Sequence, residues 1–303
     1  MKKIVIVILH YLGKEFTLAC LESVAQLRTD NLELKIMVVN GNPQESLTDL
    51  KKKFPPFVFL ETGKNLGTVG GYNFGIKKAL EGGADYILLL NNDTTVDKNL
   101  ILELVKTAEN EGAAVAGPKI YFAPGYEYHR ARYKQADFGK VIWYAGGIID
   151  WKNIYFTHRG VDEVDKGQYE SVMQTDFVTG CAVFIRRKVF EEIGLFNKDY
   201  FMYLEDAEFS QRAIKAGFKV IYAPKAMVWH YNAGSSKVGG DLHDYFITRN
   251  RLLFGLKYAP LKTRFNLIQE SIKLWLSGRR WQKIAIKDYY LGRLERGSWH
   301  DKG

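Results

Sequence analysis

The sequence is poor in cysteine and in long apolar runs, and each shortage excludes something. Two cysteines, Cys20 and Cys181, among 303 residues cannot form a disulfide framework, a four-cysteine zinc site or an iron–sulfur site, and they suit a reducing compartment. No apolar stretch approaches the roughly 20 residues of a membrane-spanning helix; the longest, such as Ile4–Leu9, are strand-sized. Met1-Lys2-Lys3 leads straight into that stretch, without the longer apolar core and small-residue cleavage site of a secretory leader. The expected address is therefore cytoplasmic, and neither an integral membrane protein nor a secreted one is expected. An apolar content of 47% with 25% charged residues is ordinary for a globular chain and excludes a disordered one.

Charge is placed unevenly. Residues 245–303 hold 13 Lys or Arg against 4 Asp or Glu and so carry the whole net charge of +9; residues 1–244 are neutral. The division predicts a neutral body at 1–244 and a basic helical extension at 245–303; a change of rhythm after Gly117 divides the body into halves at 1–117 and 118–244. The extension is rich in aromatics, among them Phe265, Trp275, Trp281 and Trp299. Such a mixture suits an anionic surface, lipid headgroups or nucleic acid. The alternative is a helical subdomain docked on the body with a solvated basic face.

Along the first half, strand-like and helix-like segments alternate. Continuous apolar runs at Ile4–Leu9, Leu34–Val39 and Tyr86–Leu90 predict strands buried on both faces of a parallel sheet, separated by helical spacing at Phe16–Leu27, Leu47–Phe54 and Val69–Leu80. The rhythm predicts an α/β doubly wound sheet whose ligands sit at the carboxyl ends of its strands. From Pro118 to Thr175 it breaks into a Gly- and Tyr-rich insertion, of the kind that carries function on a rigid scaffold.

Three segments hold chemistry-bearing residues. Leu88–Leu90 runs into Asn91-Asn92-Asp93, placing a carboxylate where a divalent cation could bridge a diphosphate; an Asn-Asp turn reads the same way. Gly63 to Asn73 is a Gly-rich stretch before a helix that matches neither nucleotide-loop fingerprint. Glu205-Asp206 follows the apolar Phe201-Met-Tyr-Leu204, where Asp206 is a helix cap or a general base of raised proton affinity. Val228-Trp229-His230 and Asn232-Ala-Gly234-Ser-Ser236 come after.

Taken in order, Asn65-Leu-Gly67 with Gly70-Gly71-Tyr-Asn73, Asn91-Asn92-Asp93-Thr94, Thr179-Gly180-Cys181, Gly194-Leu-Phe196, Glu205-Asp206, Pro224-Lys-Ala226 with His230, and Arg249-Asn250 resemble the inverting family-2 glycosyltransferases, in particular their rhamnosyltransferase-like branch. The resemblance implies a GT-A fold, a mixed nucleotide-binding sheet with an acceptor-binding half. It implies transfer of a sugar from a nucleoside-diphosphate donor, dTDP-rhamnose or a UDP-hexose, to a hydroxyl of a glycan or lipid-linked glycan. Asp206 would be the catalytic base with Glu205 beside it, and Asp93 and His230 would hold Mg²⁺ or Mn²⁺. His10, Tyr11, Asn40, Asn65, Gly70, Gly71, Asn73, Asn91 and Asn92 would surround the donor nucleotide. Gly180, Arg212 and Arg249 would face its diphosphate or sugar. The chain departs from the family at Val38-Val39-Asn40, where an aspartate usually contacts the pyrimidine; an amide oxygen accepts that bond without charge assistance.

Two other readings compete with this one. A sugar-nucleotide pyrophosphorylase needs a loop after its first strand with repeated glycine, which His10–Glu15 lacks. A non-catalytic basic protein binding membrane or nucleic acid leaves Asp93, Asp206 and His230 without a shared purpose. The partners expected are thus a sugar nucleotide, a glycan acceptor and an anionic membrane surface on the inner face of the cell, with no nucleic acid. For that surface the sequence offers Leu261, Phe265, Ile268, Ile272 and Trp275 along one side of a helix; the competing expectation is that this stripe packs on the body.

Overall fold

The computed structural model describes residues 1–232 and 239–300; of the segment Asn232–Ser236 singled out above, residues 233–236 lie outside them. In chain order the strands and helices are β1 (Lys2–His10), α1 (Lys14–Val24), β2 (Leu32–Asn40), α2 (Thr48–Lys53), β3 (Val58–Glu61), α3 (Gly67–Glu81), β4 (Tyr86–Asn91), β5 (Thr94–Val96), α4 (Leu100–Glu111) and β6 (Val115–Phe122). The insertion contributes β7 (Ile142–Tyr144), β8 (Gly147–Asp150), β9 (Tyr155–His158) and β10 (Met173–Gln174). Then come β11 (Ala182–Arg186), α5 (Arg187–Ile193), α6 (Glu205–Lys215), β12 (Val220–His230), α7 (Asp241–Tyr258), α8 (Leu261–Ser277) and α9 (Arg280–Tyr290).

One mixed sheet in the order β10-β12-β6-β11-β4-β1-β2-β3 organises the chain, with β5 on β12 and β7 on β6. Strands β3, β2, β1 and β4 are parallel, whereas β11 runs antiparallel between β4 and β6. The order reverses between β1 and β4, the kind of switch point at which such sheets open a crevice. Because successive side chains of a strand face opposite ways, β1 feeds two cores: Ile4, Ile6 and Ile8 pack on one face with α1 and α4. Val5 and Val7 pack on the other with α3 and α6.

The Gly-rich stretch belongs to this packing. A Cβ on Gly71 would stand 2.5 Å from Leu9 Cδ1, and one on Gly75 would stand 2.4 Å from Val7 Cγ1. Gly70 faces Leu66 of its own turn. These glycines let α3 lie close against β1, and Gly70 and Gly71 are not in the cleft wall described below.

The basic extension is continuous with the body. Helix α7 starts at Asp241 and buries Tyr245, Phe246, Arg249 and Asn250. With Phe201, Ala285 and Trp299, the rings of Tyr245 and Phe246 form a third apolar cluster beneath the loop ahead of α6. Among the described residues no helix is long and apolar enough to cross a membrane.

Replacing Gly75 by Ala is expected to destabilise the chain by about 1–3 kcal/mol, because the core overpacks against a β-strand that cannot retreat. Denaturant unfolding measures it; an unchanged midpoint would contradict the close packing of α3 on β1.

Candidate active site

At the carboxyl ends of β1, β2 and β4 lies a cleft of about 1010 Å³, large for a small-molecule site. Its floor is Leu9, Gly41, Asn91, Asn92 and Asp93; Trp143, Phe156 and His158 of the insertion, Phe177–Cys181, Phe201–Ala207 and Trp299 form the walls.

At one end Asp93 meets His230. Two strands bring them together: Thr94 of β5 pairs with His230 at the end of β12, and the Tyr231 N–H donates to the Asp93 carbonyl at 2.9 Å. Asp93 Oδ1 then lies 3.2 Å from His230 Nε2. Trp143 stacks edge-to-face on His230, ring centres 4.6 Å apart, and on His158 at 4.4 Å. Burial lowers the His158 pKa to about 4, which keeps that ring neutral. Among the described residues His230 Nδ1 is buried with no hydrogen-bond partner. A carboxylate oxygen and an imidazole nitrogen this close suit Mg²⁺ or Mn²⁺, which take oxygen-rich shells and leave several positions to water and phosphate. Among the described residues no group of three or more His, Cys, Asp or Glu stands together as a metal cage.

The other end is Glu205-Asp206, at the start of α6. Asp206 does not cap the helix, whose N-cap is Leu204. Its Oδ2 instead accepts the Gly180 N–H at 2.8 Å and its Oδ1 the Ala207 N–H at 2.8 Å. Burial raises its proton affinity while these two N–H groups oppose the rise. Glu205 has less support: among the described residues its Oε2 is buried without a partner, and burial first, then the Asp206 charge, push its pKa to about 8 against one opposing backbone N–H. Two adjacent carboxyl groups in one low-dielectric wall cannot both ionise cheaply. At neutral pH the hydrogen-bonded Asp206 carries the charge and Glu205 keeps the proton.

The loop aiming this pair is strained. Phe201, Tyr203 and Leu204 all have φ above +60°, a region that costs a non-glycine residue roughly 1–2 kcal/mol. Asn250 Nδ2 donates to the carbonyls of Tyr200, Met202 and Tyr203 at 2.7–2.9 Å. Arg249, fully buried, donates to those of Asp199, Tyr200 and Glu295. From the other side the Val69 N–H donates to the Phe201 carbonyl at 3.0 Å. Gly67, at φ +69°, lies so near that a Cβ would stand 2.6 Å from the Phe201 oxygen.

The structure thus gathers Tyr11, Asn65, Asn91, Asn92, Asp93, Gly180, Glu205, Asp206 and His230 around one cleft. Asn65 Nδ2 donates to the Tyr11 hydroxyl at 3.1 Å. Asn91 accepts from Tyr72 and Asn92 donates to the Leu12 carbonyl and to Thr17.

Five other expected site side chains point elsewhere, each for a local reason. His10 is buried between Thr17 and Glu45. Asn40 is spent on its own loop, donating to the Glu45 carbonyl and accepting from the Asn42 N–H, so Gly41 rather than Asn40 faces the cleft. Asn73 bridges the backbone of Phe196. Arg212 donates to Glu208 and to the carbonyls of Ile193 and Leu195. Arg249 is the loop clamp already described, with no side chain in the wall. Conversely, Trp143, His158, Asp241 and Trp299 stand in the wall without having been expected there. A Trp within the Gly-rich insertion was the one available signal; the other three reach the cleft through long-range packing.

The raised Glu205 pKa has a stability consequence. The folded chain holds this proton more tightly than the unfolded one, so stability falls as pH rises from the ordinary glutamate value of 4.5 toward about 8 and levels off above. Glu205→Gln is expected to raise the melting temperature, by a margin that widens between about pH 5 and about pH 8. A margin that stays constant across that range, by calorimetry, would contradict the assigned protonation.

The profile of glycosyl transferase family 2 matches residues 5–194. Over 206 residues the chain is 27% identical to the N-acetylglucosaminyl-diphospho-decaprenol L-rhamnosyltransferase of Mycobacterium tuberculosis, covering 65% of this chain and 64% of that one. It is 25% identical over 163 residues to the low-salt glycan biosynthesis hexosyltransferase Agl10 of Haloferax volcanii, covering 54% and 48%. It is 24% identical over 233 residues to the poly-beta-1,6-N-acetyl-D-glucosamine synthase of Staphylococcus aureus, covering 72% and 49%. The chain therefore spans between about half and two thirds of the length of these relatives. A solved structure of GalNAc-T7 with UDP, GalNAc and Mn²⁺ superposes with a TM-score of 0.61 at 16% identity, over 89% of this chain and 54% of that one. The fold is GT-A, and with the profile covering most of its length the chain belongs to glycosyl transferase family 2.

Proposed function

We propose that the chain transfers a sugar from a nucleoside-diphosphate donor to a hydroxyl of a glycan or lipid-linked glycan, with inversion at the anomeric carbon. One observation carries the reading: a charged, doubly hydrogen-bonded Asp206 and the Asp93–His230 pair face the same cleft. The names of the relatives, a rhamnosyltransferase acting on a polyprenyl diphosphate and a hexosyltransferase among them, support dTDP-rhamnose or a UDP-hexose as donor.

The base of the nucleotide is assigned to Tyr11, Gly41 and Asn65, which line the cleft beside β1 and β2. Asp93 and His230 would hold Mg²⁺ or Mn²⁺, the latter being the ion in the GalNAc-T7 structure. Such an ion, when bound, neutralises charge on the departing diphosphate. Asp206 Oδ takes the proton of the acceptor hydroxyl as that oxygen attacks, a role its raised proton affinity suits. Neutral Glu205 spares it a second adjacent charge. At Gly180 an added Cβ would lie 3.7 Å from Asp206 Oδ2, so the missing side chain leaves the acceptor room. Displacement occurs in one step, so no nucleophile is needed; Cys181, a thiol raised in pKa by burial, stays a packed thiol.

Asp206→Asn is expected to lower turnover by about 10²-fold or more while nucleotide binding persists. Full activity would move the base to Glu205 or elsewhere. Asp93→Ala and His230→Ala should each weaken Mn²⁺-supported binding of nucleoside diphosphate, read by calorimetry with and without the ion; an unaltered ion dependence would separate the two residues. Asn250→Ala, some distance from any reacting atom, should lower kcat about tenfold or more with little change in donor KM, because it loosens the loop rather than the nucleotide pocket. Retained kcat in a folded Asn250→Ala protein would leave the clamp without a catalytic consequence.

A further inference from the structure

Helix α8 turns its apolar stripe outward. It rests on the body through Thr263, Leu267 and Ser271, with Leu267 against Gly255 of α7. On the opposite side Leu261, Phe265, Ile268, Ile272, Trp275 and Leu276 are 40–81% exposed. The expectation that this stripe packs on the body is therefore not met. The row extends sideways: the Tyr290 hydroxyl bonds Ser271 Oγ at 2.8 Å, which lays the end of α9 beside α8, and Tyr290 and Leu291 are exposed there too. From Leu261 to Leu276 a helix advances about 23 Å. An apolar ridge of that length on a chain surface marks a contact with something else.

The charges around the ridge say what. Lys262 and Lys273, about three turns apart, stand on the same flank of α8. Arg280, Lys283 and Lys287 follow on α9, and these side chains form no ion pair among the described residues. Among the described residues the acidic side chains of the same stretch are engaged. Glu270 pairs with Arg251, Asp288 bonds Tyr245 and Ser298 from inside the body, and Glu295 pairs with Lys198. The surface is thus apolar along its crest, with cations on one flank of α8 and on α9. Two copies meeting crest to crest would press these uncompensated cations together, which opposes a dimer. A nucleic acid would satisfy the cations and leave the leucine and isoleucine crest wet. A bilayer containing anionic lipid satisfies both: acyl chains take the crest and headgroups take the margin.

We infer that α8 and the end of α9 form a docking surface for an anionic lipid bilayer, on which the chain lies without crossing it. This surface is separate from the cleft and holds whatever the acceptor is. The test is sedimentation of the full chain with vesicles of phosphatidylglycerol and phosphatidylcholine, against vesicles of phosphatidylcholine alone, at low and high salt. The anionic vesicles should retain about tenfold more protein at low salt, and less of it at high salt. The triple change Phe265→Ser, Ile272→Ser and Trp275→Ser, all at exposed positions, should abolish retention with an unchanged circular dichroism spectrum and melting temperature. Lys273→Glu with Lys287→Glu should remove the preference for anionic vesicles. Retention of the folded triple variant at the unaltered level would overturn the proposal. So would a full chain that ignores both kinds of vesicle, including one that sediments as a dimer dispersed by the triple change, which would name a second copy as the occupant.

Discussion

Three carbonyls of the loop ahead of α6 accept hydrogen bonds from one buried amide, Asn250 Nδ2, and the site depends on that capture. Left alone, Phe201, Tyr203 and Leu204 would relax from positive φ, since three such residues together cost several kcal/mol. The bonds from Asn250 and Arg249 are each worth roughly 1 kcal/mol or more when buried, enough in number to hold the strained path. The clamp stands on α7, which is locked in turn by the aromatic cluster of Tyr245, Phe246 and Trp299. The C-terminal extension is in this sense part of the catalytic half. It aims Glu205 and Asp206 from behind while Asp241 and Trp299 complete the wall in front.

Electrostatics follows from that placement. The loop drives two neighbouring carboxyl groups into a wall where Asp206 receives more N–H donors than Glu205. The donors come from Gly180 and Ala207, so the charge settles on Asp206. At the far end the antiparallel pairing of β5 with β12 sets Asp93 against His230, and Trp143 packs on the imidazole from the side. The sheet thereby sets Asp206 and the Asp93–His230 pair on the wall of one cleft.

Much of this could be read from the sequence because it is local. Apolar runs mark β1, β2 and β4 within a residue or two, and the motifs at Asn91–Asp93 and Glu205-Asp206 lie at the cleft. The errors share one cause. Arg212, Arg249, Asn40, Asn73 and His10 are polar residues close to the motifs in sequence, yet each is consumed by a backbone group or side chain whose position depends on the tertiary fold. A motif shows that such a residue is needed and does not show for what: Arg249-Asn250 serves the loop's carbonyls rather than a phosphate. The partial strand β5 and the strained loop were hidden likewise, since neither three residues of strand nor a non-glycine positive φ has a pattern of its own. Gly71, expected at the nucleotide, answers to helix packing instead, as Gly75 does. The outward stripe of α8 was visible as helical spacing, but only packing could say which way it faced.

The central claim is that Asp206 acts as a base in a single displacement at the anomeric carbon. The configuration of the first-formed product tests it most directly, read by nuclear magnetic resonance from an α-linked nucleotide sugar and an acceptor with the intact chain. The account predicts a β-linked product at the earliest time points. An α-linked product would require either two displacements or attack from the leaving-group side, and it would contradict the role given to Asp206.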